Sequence, residues 1–461
     1  MKKLALMLIA ISGLLLVSSK VRAWQSNING TVNGNDQALA VIVDPANDVI
    51  AAGFTTNPGS GSDWTVIKFD GTTGAELWRQ VINGTANGDD RALAVTVDRE
   101  GNVIASGFIT NNNTGSDFTV VKLSGVTGTE LWRQVINGTA NGEDQALAVA
   151  VGGAGNVIAA GFTTNNGTGS DFTAIKFHGT KGTELWRRVI NGTGNGEDRA
   201  LAITVGPAGN VIAAGYITNP EIGSDFTVVK FNGASGTELW RQMINGTRSD
   251  IDEALAVAVG RGGDVVAAGY TTNNNTNRDF TVIKFNGAKG TELWRQIIGG
   301  SSRGLEVPNS MTVDDLGDVV VAGHIDTDFG DFNFSNFTVI KFKGAKGTEL
   351  WRRLIGNFNA SGAANAVSLD GARNVIAAGY TTNPSTGSDF TVIKFDGVSG
   401  AELWRQAING TANAEDRALA VRADTAGDVV AAGFTRNNST ANDFTVIKLA
   451  GADGRGPWPS D

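Results

Sequence analysis

Hydrophobic and polar positions in this chain recur with a long period. Short runs of β-branched and aromatic residues are separated by clusters of Gly, Asn and Asp, and the same succession of runs returns along the chain. Residues 90–137 show one full unit: ALAVTV at 92–97, NVIASGFIT at 102–110, FTVVKL at 118–123 and ELWRQVI at 130–136. Runs of this length bounded by turn formers read as strands, here a, b, c and d of a four-stranded meander. No segment keeps a helical period over a useful length. Strands a and b are rich in Ala and Gly, which suits the crowded inner part of a blade.

Nine tryptophans set the register: Trp24, Trp78, Trp132, Trp186, Trp240, Trp294, Trp351, Trp404 and Trp458, spaced by 54 residues except for one gap of 57 and one of 53. Eight units of about 54 residues fill the chain from Trp24, with no room for a second domain. The pattern predicts an all-β, closed eight-bladed β-propeller. Closure follows from the ends of the repeat array. The first unit begins with a lone d-type strand (WQSNI), and the last stops after strands a, b and c at Leu449. Trp458 lies in Gly-Pro-Trp-Pro, which cannot readily extend a ladder. The N-terminal d strand is therefore expected to complete blade eight, a closure that protects sheet edges.

The first 23 residues have another pattern. A basic start, an apolar stretch from Leu4 to Val17 and Val21-Arg22-Ala23 before Trp24 have the layout of a secretory signal peptide. The expected division is a signal peptide at 1–23, cleaved after Ala23, and one propeller domain at 24–461. The destination is the periplasm or the outside of the cell. The apolar run is too short to span a membrane, and no cysteine follows it to carry a lipid anchor. Residues 1–23 hold four Lys or Arg and no acid, so their loss takes the formal charge from −9 to −13. Such a surface repels nucleic acid and anionic lipid. With no cysteine at all, an exported chain must draw its stability from architecture. A monomer is expected.

The c–d link Asp70-Gly71-Thr72-Thr73-Gly74-Ala75-Glu76-Leu77-Trp78 resembles the tryptophan-docking motif of quinoprotein-type propellers. Gly stands seven and four residues before the Trp in all eight units, while the Asp and Thr vary, as at Ser124 and His178. The chain also resembles bacterial exported propeller-repeat proteins. A further likeness is to the exported eight-bladed scaffold of outer-membrane protein assembly, which is a lipoprotein. The quinoprotein resemblance implies calcium-binding acids and amides, a catalytic Asp and often a vicinal disulfide. The disulfide is impossible here, and no blade presents an evident set of the other residues.

Strand parity puts the b–c and d–a loops on one face and the a–b and c–d loops on the other. Recurrent acids stand on the first face. Asp36, Asp90, Asp144, Asp198, Asp252 and Asp416 precede strand a; Asp63, Asp117, Asp171, Asp225, Asp279, Asp389 and Asp443 precede strand c. They either form a ring for cations or sugar hydroxyls or accept backbone N–H bonds in turns, and the turn role is the one that nearly every blade would share. The recurrent strand-c lysines, such as Lys122, are expected to pair across to the Glu and Arg of strand d. Six Asn-Gly-Thr sequons, at Asn29, Asn83, Asn137, Asn191, Asn245 and Asn409, serve as turns or as glycosylation acceptors.

Blade six breaks the repeat. Its b–c loop carries a three-residue insertion, His324 to Asn336. Asp326, Asp328 and Asp331 have oxygen-ligand spacing compatible with calcium, though no cofactor is required. Phe329, Phe332 and Phe334 are extra aromatics, and the next d–a loop adds Asn357 and Phe358. Such a patch suits recognition of a protein or a glycan. Sequence drift in a loop is the competing account. No catalytic residues can be assembled: His178 and His324 fall on opposite faces, and no serine lies in an elbow motif. The leading expectation is an exported, non-enzymatic binding or scaffold propeller that works through the b–c/d–a face. A calcium- or quinone-dependent enzyme and a structural envelope component are the alternatives.

Overall fold

A computed structural model describes residues 23–458 apart from 222, 301–303, 330–331 and 357–359; of 328, 329, 332 and 333 it describes the backbone alone. Residues 1–22, and with them nearly all of the expected signal peptide at 1–23, lie outside this range. The chain forms eight antiparallel four-strand meanders. In blade one these are strand a (Gln37–Val43), b (Val49–Asn57), c (Gly61–Phe69) and d (Glu76–Ile82). Strand c begins earlier than its apolar run suggests, because the Gly-Ser-Asp stretch already pairs with the end of strand b, as Thr55 does with Asp63. Blade four gains a two-residue parallel addition, Asp250–Ile251, from its neighbour.

The ring closes as the termini require. The strand Trp24–Ile28 pairs antiparallel with Ala441–Leu449, Trp24 opposite Lys448, and completes blade eight. Trp458 is not in a strand and is 41% exposed.

The apolar core lies between blades rather than within one. One cluster joins Val430, Phe444 and Trp24 of blade eight to Val41, Ala51 and Phe69 of blade one, and seven like it follow around the ring. Alternation along each strand supplies the two apolar faces this needs. The docking tryptophans are the hinge pins of these interfaces. Trp24 Nε1 donates to Gly71 O at 3.3 Å. Gly74, at φ +73°, sits so close that an added Cβ would lie 2.5 Å from the Trp24 ring. Both recurrent glycines thus serve the tryptophan of the preceding blade.

The strand-c lysines depart from expectation. They do not pair with strand d. Lys122 Nζ reaches Asp98 in the a–b turn of its own blade at 2.7 Å and Gly179 O in the next blade at 2.8 Å. The same Gly179 O accepts the Trp132 indole at 3.0 Å. The strand-d acids pair instead within their own strand, as Arg133 does with Glu130. The lysine side chain is buried at the blade interface, and the turn carboxylate and the neighbour's carbonyl are what that interface offers.

Candidate functional site

The b–c/d–a face is built on buried carboxylates. Asp90, with no exposure, takes Gly84 N on Oδ2 at 2.7 Å and Thr110 N on Oδ1 at 2.5 Å. Its own N–H donates to Ser62 O of the preceding blade at 2.6 Å. Burial pushes its carboxyl up to about 6, against the two backbone donors and with help from the Asp63 charge. Asp36, Asp144, Asp252 and Asp416 are pushed up to about 6 in the same way. Most acids before strand c take side-chain donors on one oxygen, as Asp63 Oδ2 accepts Asn57 Nδ2 at 2.7 Å and Ser60 Oγ at 2.8 Å, while Oδ1 is buried without a hydrogen-bond partner among the described residues. The recurrent acids therefore fasten turns.

In five of the six Asn-Gly-Thr turns, all but that of Asn245, the Asn is also engaged, as Asn83 Nδ2 donates to Asn87 Oδ1 at 2.8 Å. At the rim of this face arginines stack on aromatics of the preceding blade, Arg91 over Phe54 at 4.7 Å and Arg199 over Phe162 at 4.4 Å.

The quinone and calcium that the resemblance implies do not find a donor set in these acids. Asp90 and its equivalents have both oxygens bonded to the turn, and among the described residues no group of three or more His, Asp or Glu could hold a metal. The chain also has no cysteine for a disulfide over the quinone.

Blade six differs in kind. Its b and c strands, Val319–Phe329 and Phe332–Phe342, each have eleven residues against nine elsewhere. What reads in sequence as an inserted loop is a lengthened β-ribbon, paired as far as Phe329 and Phe332. The register pairs Asp326 with Ser335, Thr327 with Phe334, Asp328 with Asn333 and Phe329 with Phe332. Alternate positions thus collect Asp326, Asp328, Asn333 and Ser335 in one set and Thr327, Phe329, Phe332 and Phe334 in the other.

Asp326 is engaged locally: Oδ2 accepts Leu305 N at 3.0 Å and Oδ1 accepts Ser335 Oγ at 2.6 Å. Asn336, in place of the usual Asp, donates to Ile325 O at 2.9 Å and Thr327 Oγ1 at 2.8 Å. Phe334 is half-buried and Thr327 exposed. Asp331, Asn357 and Phe358 lie outside the described residues, and so do the side chains of Asp328, Phe329 and Phe332. His324 is no loop residue. It pairs with Val307 inside the sheet, and burial lowers its pKa against the Asp326 charge. His178, on the other face, accepts Thr180 N and Lys181 N in a c–d turn.

Two further departures escaped the sequence reading. Strand a carries a bulge, and its unpaired residue is Leu39 in blade one and Leu255 in blade five. Blades six and seven have Asn309 and Asn365 there. Asn309 Nδ2 donates to Ala364 O at 3.0 Å, and Asn365 Nδ2 to Ala418 O at 2.8 Å, each in the following blade. Aligning the repeats on strand a would have revealed both. The departure of blade six thus runs from its lengthened b–c ribbon to strand a, and blade seven shares the strand-a part.

A family model described as outer membrane protein assembly factor BamB matches residues 22–219 and 176–330, two overlapping stretches of the repeat array. The chain belongs to this family. Solved structures agree on the fold. BamB from Moraxella catarrhalis superposes with a TM-score of 0.53 at 15% identity, covering 93% of this chain and 100% of that one. A quinohemoprotein alcohol dehydrogenase from Pseudomonas putida HK5 gives 0.56 at 13%, covering 95% and 77%. That from Comamonas testosteroni gives 0.56 at 11%, covering 95% and 78%. No curated protein matches the sequence. The propeller fold is thus shared by an assembly factor and by redox enzymes, and the fold alone does not choose between them.

Proposed function

We propose that this chain is an exported binding or scaffold propeller that engages a protein partner through the b–c/d–a face of blades six and seven. The observation that carries the reading is the lengthened ribbon of blade six. A paired ribbon presents its residues with less conformational freedom than a loop, which lowers the entropic cost of binding. In the described part of the ribbon the exposed Thr327 stands opposite the half-buried Phe334, and Asp326 opposite Ser335, which offers a partner apolar and polar contacts together. Asn309 and Asn365 tie the same sector to its neighbours, so the ribbon stands on a fixed base. Family membership supports the same reading, since the family is described by an assembly factor.

The test is a graft. Residues 327–335 are replaced by the six residues 111–116 of blade two, which restores the regular hairpin. Partner capture from envelope extract is expected to disappear while the melting midpoint stays within a few degrees. Unchanged capture by the grafted protein contradicts the site. Capture of glycan rather than protein by the unaltered chain contradicts the partner class.

A further inference from the structure

The opposite face holds a site of another kind. In five blades the strand-c lysine meets a carboxylate from the first position of the a–b turn. These pairs are Lys68–Asp44, Lys122–Asp98, Lys341–Asp314, Lys394–Asp370 and Lys448–Asp424, at 2.7–3.0 Å. Blade two shows the full cradle. Asp98 takes Lys122 Nζ at 2.7 Å and Asn102 Nδ2 at 3.1 Å on one oxygen and Asn102 N at 2.8 Å on the other. Blade seven repeats it, with Lys394, Asn374 and Asp370 in the same roles.

Blade four keeps the donors and lacks the acid. Lys230 and Asn210 stand where Lys122 and Asn102 stand, but Gly206 replaces the aspartate. Asn210 is held as Asn102 is, its Oδ1 accepting Gly233 N at 3.2 Å. Lys230 Nζ retains its bond to Gly287 O of the next blade at 2.5 Å. Among the described residues no carboxylate lies within ion-pair distance of it, and burial lowers its pKa.

The missing side chain leaves a cleft of about 190 Å³ between blades four and five, lined by Gly206, Asn210, Ile212, Lys230, Val259 and Arg261 among others. Arg261 adds a second cation from the adjoining blade. The volume equals roughly six waters at about 30 Å³ each, room for a carboxylate on a short apolar stem. Ile212 and Val259 give that stem apolar walls.

We propose that this cleft binds a carboxylate, which takes the place that Asp98 and Asp370 fill from within their own blades. Lys230 Nζ and Asn210 Nδ2 are the donors that the internal template assigns to it, and Arg261 supplies the second positive charge. An ammonium without its counter-ion in a half-buried site is costly, and a bound anion relieves that cost. Blade three also pairs a glycine, Gly152, with an unpaired Lys176, but the blade beyond it offers Pro207 where Arg261 stands. The site lies on the face opposite the blade-six ribbon and does not depend on the function proposed for that ribbon.

The experiment is a melting titration of the full chain with sodium acetate and propionate, and with a blocked peptide whose only carboxylate is one Glu side chain. Sodium chloride at matched ionic strength is the reference. A saturable rise in the midpoint beyond chloride is expected for at least one carboxylate. Gly206→Asp supplies the acid internally. The backbone there tolerates it, since an added Cβ meets nothing closer than 3.6 Å. In this variant the rise is expected to vanish. In Lys230→Met the apparent affinity is expected to fall about tenfold or more, as loss of one charge-assisted hydrogen bond implies. Lys176→Met keeps the response.

Saturation by free acids alone identifies a small-molecule ligand, and saturation by the peptide identifies a partner's side chain; both support a carboxylate site. No rise beyond chloride, or an equal rise in Gly206→Asp and Lys230→Met, overturns it.

Discussion

Lys448 Nζ donates to Gly71 O at 2.9 Å across 377 residues of sequence, and the Trp24 indole donates to the same carbonyl at 3.3 Å. Three distant parts of the chain meet on one backbone oxygen, and that oxygen sits at the seam where the ring closes. Every other blade interface uses the same device with partners 46–60 residues apart, as Lys122 and Trp132 do on Gly179. Only the seam needs the two ends of the chain together.

Trp24→Ala is therefore expected to destabilise the whole ring. Removing a buried tryptophan costs about 3–5 kcal/mol, here with loss of the seam bond. Trp458→Ala, at a residue 41% exposed, is expected to change stability by no more than about 0.5 kcal/mol. Denaturant unfolding of the two variants checks the contrast; equal losses contradict the assignment of Trp458 as a vestige of the repeat.

The lysines divide into two classes with different mutational signs. Lys122→Met strands the Asp98 carboxylate in a buried site, and breaking such a pair costs about 3–5 kcal/mol. Lys176→Met strands no acid, since among the described residues Lys176 pairs with no carboxylate and donates to Gly233 O, and burial lowers its pKa. Its loss is expected to be much smaller or to stabilise the chain. Chemical denaturation separates the outcomes, and a Lys176→Met cost equal to that of Lys122→Met contradicts the pairing scheme.

Much of this architecture is legible in the sequence because the repeat exposes it. The nine tryptophans fix the blade count, and Gly71 and Gly74 mark the docking turn. The lone strand Trp24–Ile28 announces closure. The turn role of Asp90 follows from its neighbours. The partners of Lys122 were not legible, because they depend on how one blade leans on the next and not on cross-strand spacing. The blade-six ribbon read as a loop because Asp, Gly and Asn are turn formers, yet the pairing of Asp326 with Ser335 and Asn336 with Ile325 continues the ladder. Asn309 and Asn365 were visible as departures from Leu but lay inside a strand, where attention to loops passes over them.

The buried carboxylates predict a pH dependence of definite sign. Asp36, Asp90, Asp144, Asp252 and Asp416 are raised to about 6 in the folded state from 3.8. Such groups bind protons more tightly folded than unfolded. Their stabilising contribution is complete below about pH 4 and is lost as pH rises through about 6. His324, with a lowered pKa, works the other way, losing stability as pH falls below 6.5, but it is one group against these five and the likewise raised Asp198, Asp225 and Glu253. Asp98 and Asp370 are held low in spite of burial, chiefly by Lys122 and Lys394, and weaken the fold only at more acidic pH. The melting midpoint is thus expected to rise as pH is lowered from 7.5 to 5. Asp90→Asn is expected to flatten that slope by removing one of the contributors. A midpoint that falls steadily over this range contradicts the burial of these acids in charged form.

The functional account stands or falls on the blade-six ribbon. A photo-crosslinking amino acid placed at Thr327, which is exposed, reports directly on what lies against it in the cell envelope. The control position is Asn112, on the b–c loop of blade two, which is also exposed. The account predicts a discrete protein adduct from Thr327 and none from Asn112. No adduct at Thr327, or the same adducts from both positions, contradicts a partner-binding site on blades six and seven.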